Sequence, residues 1–402
     1  MPRRTAVTAD VRRRNASLVF AELMAQSTCS RKDLREATGL VSGTVTTIVA
    51  ELVERGLAQE TGERVSTGGR PQRLLEAVPG RVLAALVIID PEMIEVRTVD
   101  VDGRVLWHDA LPHDGRRGDA DSLVHAVATA VERARREALK RAGAWYLGAA
   151  IGVPGLVVNG EDLLITLEMP IRDLPLLARV RDSLPEPQQL MLLNTGRTAA
   201  LAEWASIPAD QRPHLMAYVG IMEHGVSGGL VLDGDLVGGE HGLAGEAGHI
   251  VVESDGILCD CGARGCLSTV LSLTNLCQAA GVPAPAGPES CTALLTGLLK
   301  DGDPAALAAL ERGARGLAAA VGTLSNLTDV GTVVVGGQMG GLWPWLEPAV
   351  TELIDSRHRV NPVFNPVVRL SGLGADGVAT GLAHALRQKL VTDPLRVPAL
   401  NP

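Results

Sequence analysis

The amino-acid sequence predicts an α/β protein: an N-terminal winged helix-turn-helix, then a two-lobed α/β body with a structural metal site. Three observations carry this. Helical apolar stripes follow one another closely over residues 12–56. Strand patterns alternate with helices beyond residue 80. One histidine and three cysteines crowd into EAGHIVVESDGILCDCGARGCL, residues 246–267.

The first stripe is Ala16, Val19, Phe20, Leu23 and Met24, one face of an amphipathic helix. Ser30 followed by Asp33 has capping-box spacing, so a short helix starts at Arg31, and Gly39 supplies the turn after it. Ser42 is the expected N-cap of the next helix. Val45, Ile48, Val49, Leu52 and Val53 form its apolar stripe, and Gly56 ends it. Helix, short helix, tight turn and helix make the helix-turn-helix pattern, whose last helix enters a DNA major groove by its N-terminal residues. The candidate contacts are Arg31, Ser42, Gly43, Thr44, Thr46 and Thr47. LAQET and RLLEAV read as two strands around the loop GERVSTGGRPQ. Gly68, Gly69 and Pro71 would slim that loop into a wing, and Arg70 at its tip suits a narrow minor groove. A three-helix bundle or a protein-binding wing is the alternative.

Charge agrees with a basic head on an acidic body. Residues 1–80 carry 12 Lys+Arg against 9 Asp+Glu. The rest carries 25 against 37, within a net charge of −9. The basic N-terminus lacks the apolar stretch of a secretory signal, and no apolar run reaches the roughly 18 residues of a membrane span. The expectation is therefore a cytoplasmic protein. Aromatics are only 2% of residues, so Ala, Val, Leu and Ile must build the core.

Pro79-Gly80 breaks the pattern and sets the expected boundary between a head, residues 1–78, and a body, residues 82–402. In the body, RVLAALVIID is a buried strand, and EVRTVDVDGRVLWHD is a hairpin turning at Asp102-Gly103. Residues 119–142 form a long helix. A second hairpin group opens with HLMAYVGI. Two such groups, each followed by helices, suggest two lobes with a cleft between them: about 82–193 plus 377–390, and about 194–376.

His249, Cys259, Cys261 and Cys266 make a Cys₃His set, the composition of a closed tetrahedral zinc site. A redox pair would read C-x-x-C, and a catalytic zinc keeps one position open. The site is therefore read as structural zinc. Cys29, Cys277 and Cys291 read as buried small hydrophobes.

The stretch GEAGHIVVESDGILCDCGARGCL closely resembles the zinc signature of the ROK family, named for repressors, open reading frames and kinases. The resemblance extends over residues 82–390 through GVPGLVV, LVLDGDLVGGEHGLAGEAGH, VVVGG and GLGADGVATGLAHAL. It implies an actin/hexokinase-like body with a sugar in the cleft. The head with GGRP resembles that of ROK repressors, which implies dimers or tetramers on palindromic operator DNA and a sugar or sugar-phosphate effector. Glu246, His249 and Asn194 match the family's sugar contacts.

Departures from the kinase pattern are equally specific. The first phosphate loop reads Asp90-Pro91-Glu92 where glycines belong. A proline offers no N–H, and a carboxylate repels phosphate. Thr195 stands at the catalytic aspartate, and a threonine hydroxyl is no general base near pH 7. Glu223 enters the second phosphate loop. Leu193 and the stretch 166–168 lose two polar sugar contacts. The resemblance thus implies a regulator without enzymatic activity. An active sugar kinase fused to a DNA-binding head and a regulator with no small-molecule ligand are the alternatives.

Overall fold

A computed structural model describes residues 8–400 apart from 66–71, 92, 159 and 167–168. Arg70 and the rest of the expected wing tip therefore lie outside the described residues, as do Glu92, Leu167 and Glu168.

The chain begins with α1 (Thr8–Ala25), β1 (Cys29–Ser30), α2 (Arg31–Thr38), α3 (Ser42–Glu54), β2 (Ala58–Val65) and β3 (Gln72–Ala77). The three strands form a sheet in the order β1-β3-β2. Ser30 and Asp33 close the capping box, with Asp33 N–H donating to Ser30 Oγ at 3.2 Å and Ser30 N–H donating to Asp33 at 2.8 Å. Gly39 takes φ 69°, the left-handed turn expected of it. Two expectations fail here. The N-cap of α3 is Val41, in extended conformation and with no side-chain cap, so Ser42 is already helical. Val53 is 39% exposed, because the stripe turns away from the core after Leu52. Ala16, Val19, Phe20, Leu23, Leu34 and Leu52 are buried, each large side chain contributing roughly 2–3 kcal/mol.

The first lobe contains β4 (Val82–Ile89), β5 (Met93–Asp100), β6 (Val105–Pro112), α4 (Ala120–Leu139) and β7 (Trp145–Val153). A small sheet follows, β8 (Leu156–Val158), β9 (Asp162–Ile165) and β10 (Arg172–Leu174), then α5 (Leu176–Ser183) and β11 (Leu190–Asn194). The main sheet runs β11-β7-β4-β5-β6. After α6 (Thr195–Ser206), the second lobe contains β12 (Leu215–Ile221), β13 (Val226–Leu232), β14 (Asp235–Leu236), α7 (Ser268–Leu271), α8 (Leu273–Ala279), α9 (Pro288–Lys300), α10 (Pro304–Thr328), β15 (Thr332–Gly337), α11 (Trp343–Val360) and β16 (Val367–Leu370). Its sheet runs β14-β13-β12-β15-β16. Each lobe thus repeats one plan: three antiparallel strands extended on one side by two parallel ones. Parallel pairing needs crossovers, which is why α4 and α10 follow the hairpin groups. The last helix, α12 (Gly377–Thr392), packs on α6 and on the first lobe's sheet.

The break at Pro79-Gly80 is a 3₁₀ turn with no slack. Head residues Ala16, Phe20 and Leu52 share one apolar core with Val82, Leu86 and Leu147 of the first lobe and with Leu386, Leu390 and Val397 of the C-terminal segment. Buried Arg81 pins this junction. Its Nε donates to Arg55 O at 2.8 Å, Nη1 to Gly143 O at 2.6 Å and Nη2 to Pro398 O at 2.8 Å. Leu400 N–H adds a bond to Glu54 O at 2.9 Å. Among the described residues, no helix is long and apolar enough to cross a membrane.

Candidate functional site

The metal-ligand cluster is built by backbone turns. The 3₁₀ turn Ala247–His249 lies against β13 so closely that a Cβ on Gly248 would sit 1.8 Å from Val226 O. Only glycine permits that approach, and it fixes where His249 points. The following segment folds back on itself through Val252 N–H to Gly265 O at 2.8 Å and Cys259 N–H to Ala263 O at 2.8 Å. Gly265 takes φ 71°, with Glu253 O only 1.6 Å from where a Cβ would go. Arg312 on α10 grips the Glu253 carboxylate by two bonds of 2.6 Å, tying this segment to the second lobe.

His249, Cys259, Cys261 and Cys266 bring one ligand atom each to within 4.8 Å of one another. Cys259 Sγ lies 3.7 Å from His249 Nδ1, and Cys261 Sγ lies 3.6 Å from Cys266 Sγ. Tetrahedral zinc demands edges of about 3.6 Å between sulfur and nitrogen and about 3.8 Å between sulfurs. The donor set therefore fits a metal ion of zinc's size and preference. Burial and the two neighbouring sulfurs push the Cys266 thiol up to about 12, so metal binding here must displace a proton. Cys29, Cys277 and Cys291 are buried, as expected; Cys277 and Cys291 lie against each other.

His249 also lines a cavity of about 350 Å³ at the cleft. Its Nδ1 is the atom turned to Cys259. The structure brings all three sequence-predicted ligand residues, Asn194, Glu246 and His249, to this one cavity, together with Thr195. Asn194 caps α6, accepting from Arg197 N–H at 3.0 Å, while its Nδ2 donates to Gly155 O at 2.6 Å. Half of its hydrogen-bonding capacity is thereby spent on the fold. Burial raises the Glu246 carboxyl to about 7, against the opposing charge of Arg197. The Arg197 guanidinium in turn holds the 237–242 loop through Val237 O at 3.1 Å and through Gly242 O, and its buried Nε has no partner.

Several residues of this cavity escaped sequence reading. Arg172, His224 and Asp260 line it. Arg172 pairs with Ile165 through its backbone, and its side chain makes no hydrogen bond or ion pair among the described residues. No periodicity marks these positions, because they come from three separate turns and strand ends. Arg197 was legible only as the end of LNTGR.

At the positions that depart from the kinase pattern, the local geometry is occupied. Asp90 N–H bonds Met93 O at 2.9 Å, closing a tight turn between β4 and β5, and Pro91 O accepts from Gly115 N–H at 2.8 Å. The Glu223 carboxylate accepts from Gly287 N–H at 3.2 Å, just before α9, and lies 3.6 Å from His224 Nε2.

In the head, Ser42, Gly43, Thr46 and Thr47 are exposed on the first turns of α3, and Thr44 is half-buried. Thr47 Oγ1 donates to Gly43 O at 3.0 Å. Arg31 bonds Glu60 on β2 at 3.2 Å while its side chain stays 36% exposed.

A two-lobed α/β body with a His-Cys₃ cluster beside its cleft is a hexokinase-like fold. Residues 92–389 match the ROK family, and the chain belongs to it. The xylose repressor of Bacillus spizizenii is 25% identical over 258 residues, 64% of this chain and 65% of that protein. The N-acetylmannosamine kinase of Yersinia pestis is 31% identical over 181 residues, 45% of this chain and 59% of the kinase. The chain thus spans less than two thirds of the length of these relatives. Among solved structures, a ROK family transcriptional regulator described as a homologue of the E. coli MLC protein shares the fold. Its TM-score is 0.78 at 24% identity, over 96% of this chain and 98% of that one. A ROK hexokinase from Thermus thermophilus matches with TM-score 0.60 and 27% identity, over 78% of this chain and 99% of its own.

Proposed function

We propose that this chain is a DNA-binding transcriptional regulator of sugar or carbon metabolism, a repressor, whose kinase-shaped body senses a sugar or sugar phosphate without phosphorylating it. The observation that carries the reading is the exposed first turn of α3, beside the β2–β3 hairpin. Ser42, Gly43, Thr44, Thr46 and Thr47 stand where a winged helix-turn-helix meets base edges. Arg31 and Arg70 serve as phosphate and minor-groove contacts in this reading, with residues 1–78 as the DNA-binding unit and 82–402 as the sensor. A homodimer or homotetramer would place two α3 helices on a palindromic operator, with half-sites about 34 Å apart.

The body supports the sensing half. Asn194, Glu246 and His249 meet in a cavity of sugar size. Thr195 offers no proton acceptor there, and Glu223 puts a carboxylate on the N–H that precedes α9. The cation in the His-Cys₃ cluster is zinc in this reading, held by four protein ligands. Its part is to fix the His249 ring at the cavity wall. A ligand alters operator affinity only by binding the two positions of the head unequally.

The similarity to kinases keeps a catalytic body as the competing reading. Selection of bound fragments from the protein's own genome tests the first. A recurring two-fold symmetric site near sugar genes is expected, and no enrichment over non-specific DNA contradicts it.

A further inference from the structure

A second cavity, of about 780 Å³, exceeds the cleft cavity in size and lies where head, both lobes and α12 meet. Met24 of α1, Asp102 of the β5–β6 turn, Arg212 ahead of β12, and His384 and Arg387 of α12 all face it. Neither the ROK resemblance nor the cleft reading uses it.

Its cations are unevenly neutralised. Arg97 is paired with Asp376 at 3.1 Å and Glu95 at 3.2 Å. Arg387 reaches Asp102 only at 4.0 Å, and its Nη2 donates to Met24 O at 2.6 Å. Arg212 has no carboxylate partner among the described residues. It is nevertheless held rigidly: Nε donates to Ile207 O at 2.9 Å, Nη2 donates to Ala205 O at 3.0 Å, and the guanidinium lies 4.6 Å over the Trp204 ring. His384 Nε2 lies 3.3 Å from Gln388 Nε2, which makes the amide the donor and leaves Nδ1 to carry the proton. Burial, then Arg387 and Arg212, hold the His384 pKa down near 4, against a weaker pull from Asp235. Two guanidiniums on different elements therefore crowd one imidazole with little counter-charge. Cations fixed by backbone carbonyls lose little entropy when an anion arrives.

We propose that this junction cavity is a second effector site, for a compact polyanion bearing phosphoryl or several carboxylate groups, held by Arg212, His384 and Arg387. The bound anion joins the second lobe to α12, and through the Arg387 contact to the C-terminal end of α1. It therefore acts on how the head is seated. The site is independent of the cleft cavity and of whether that cavity binds a sugar.

Thermal melting and titration calorimetry test it with pyrophosphate and citrate, each against sodium chloride of equal ionic strength. In the unaltered protein at least one of the two raises Tm by about 2 °C at roughly ten times its Kd. Arg212→Gln and Arg387→Gln each weaken that binding about tenfold or more, whereas Arg172→Gln in the cleft leaves it unchanged. Pyrophosphate alone responding identifies a phosphorylated ligand, and citrate alone a polycarboxylate. No response to either anion beyond chloride, or a response lost in Arg172→Gln and retained in Arg212→Gln, overturns the proposal.

Discussion

The two cavities of this molecule are made differently. The cleft cavity is walled by the 246–268 segment, by the turn into β8, by the ends of β9, β10 and β11, and by the turn into β13. Its geometry depends on a metal-ligand cluster and on glycines that let backbones touch. The junction cavity is walled by side chains from α1, α12, the β5–β6 turn and the segment before β12. Its geometry depends on Arg387, which donates to the distant Met24 O, and on Arg212, which donates to the nearby Ile207 and Ala205 carbonyls. The first is anchored by one locally spaced cluster, to which distant segments add walls; the second takes part of its wall from α1 of the head. Breaking the metal cluster should damage one and spare the other, and breaking the docking should do the reverse.

The largest effect expected is on the cleft side. Cys261→Ser removes one of the four candidate ligands, and metal affinity in Cys-His zinc sites supplies on the order of 10 kcal/mol of local folding energy. Metal analysis should fall from about one ion per chain to nearly none. The 246–267 segment should become protease-sensitive, while head docking persists. Full metal content in the variant would break the distinction.

Arg81→Met acts on the other side. It removes three buried donors and leaves carbonyls of three segments unsatisfied, a cost of about 2–4 kcal/mol. Denaturant unfolding should show that loss, and limited proteolysis should release the head. The metal content should not change.

Glu246 sharpens the cleft half. Its carboxyl is raised to about 7 by burial, so between pH 4.5 and 7 the folded protein holds a proton that the unfolded chain has lost. Stability from this residue is therefore fullest below pH 4.5 and declines as pH rises to 7, by up to about 3 kcal/mol. Glu246→Gln should flatten that part of the stability-against-pH curve. An unchanged slope would show that the carboxyl ionises freely. The smallest expected effect on stability is Thr46→Glu on the exposed face of α3. Tm should move by no more than about 1 °C, while DNA affinity falls at least about tenfold through repulsion from phosphates.

Legibility in the sequence follows the same division. The His249 and cysteine spacing could be read because four ligands fall within 18 residues, and zinc chemistry is local. The Ser30–Asp33 capping box and the Gly39 turn could be read for the same reason. Both lobes could be anticipated from their repeated hairpin groups. The start of α3 was displaced by one residue, because an extended Val41 ends the turn without any side-chain cap. Arg81 read only as the first residue of the strand RVLAALVIID, yet its three acceptors lie 26, 62 and 317 positions away. The junction cavity and the cleft residues Arg172 and His224 left no pattern, since each owes its place to tertiary convergence rather than spacing. Asn194 was legible only as a match to the family's sugar contacts, but its duty as the cap of α6 emerges only from the fold.

The central claim is that a sugar-kinase-shaped body serves here as a sensor and not as a catalyst. It is tested most directly by following transfer of labelled phosphate from ATP to glucose, N-acetylglucosamine, N-acetylmannosamine and xylose by the purified, metal-loaded protein. The account predicts no sugar-dependent turnover above background, because a threonine hydroxyl at Thr195 is no general base near pH 7 and the Glu223 carboxylate takes the Gly287 N–H. Turnover of any of these sugars at about 1 s⁻¹ or faster, the range of ordinary enzymes, would contradict it.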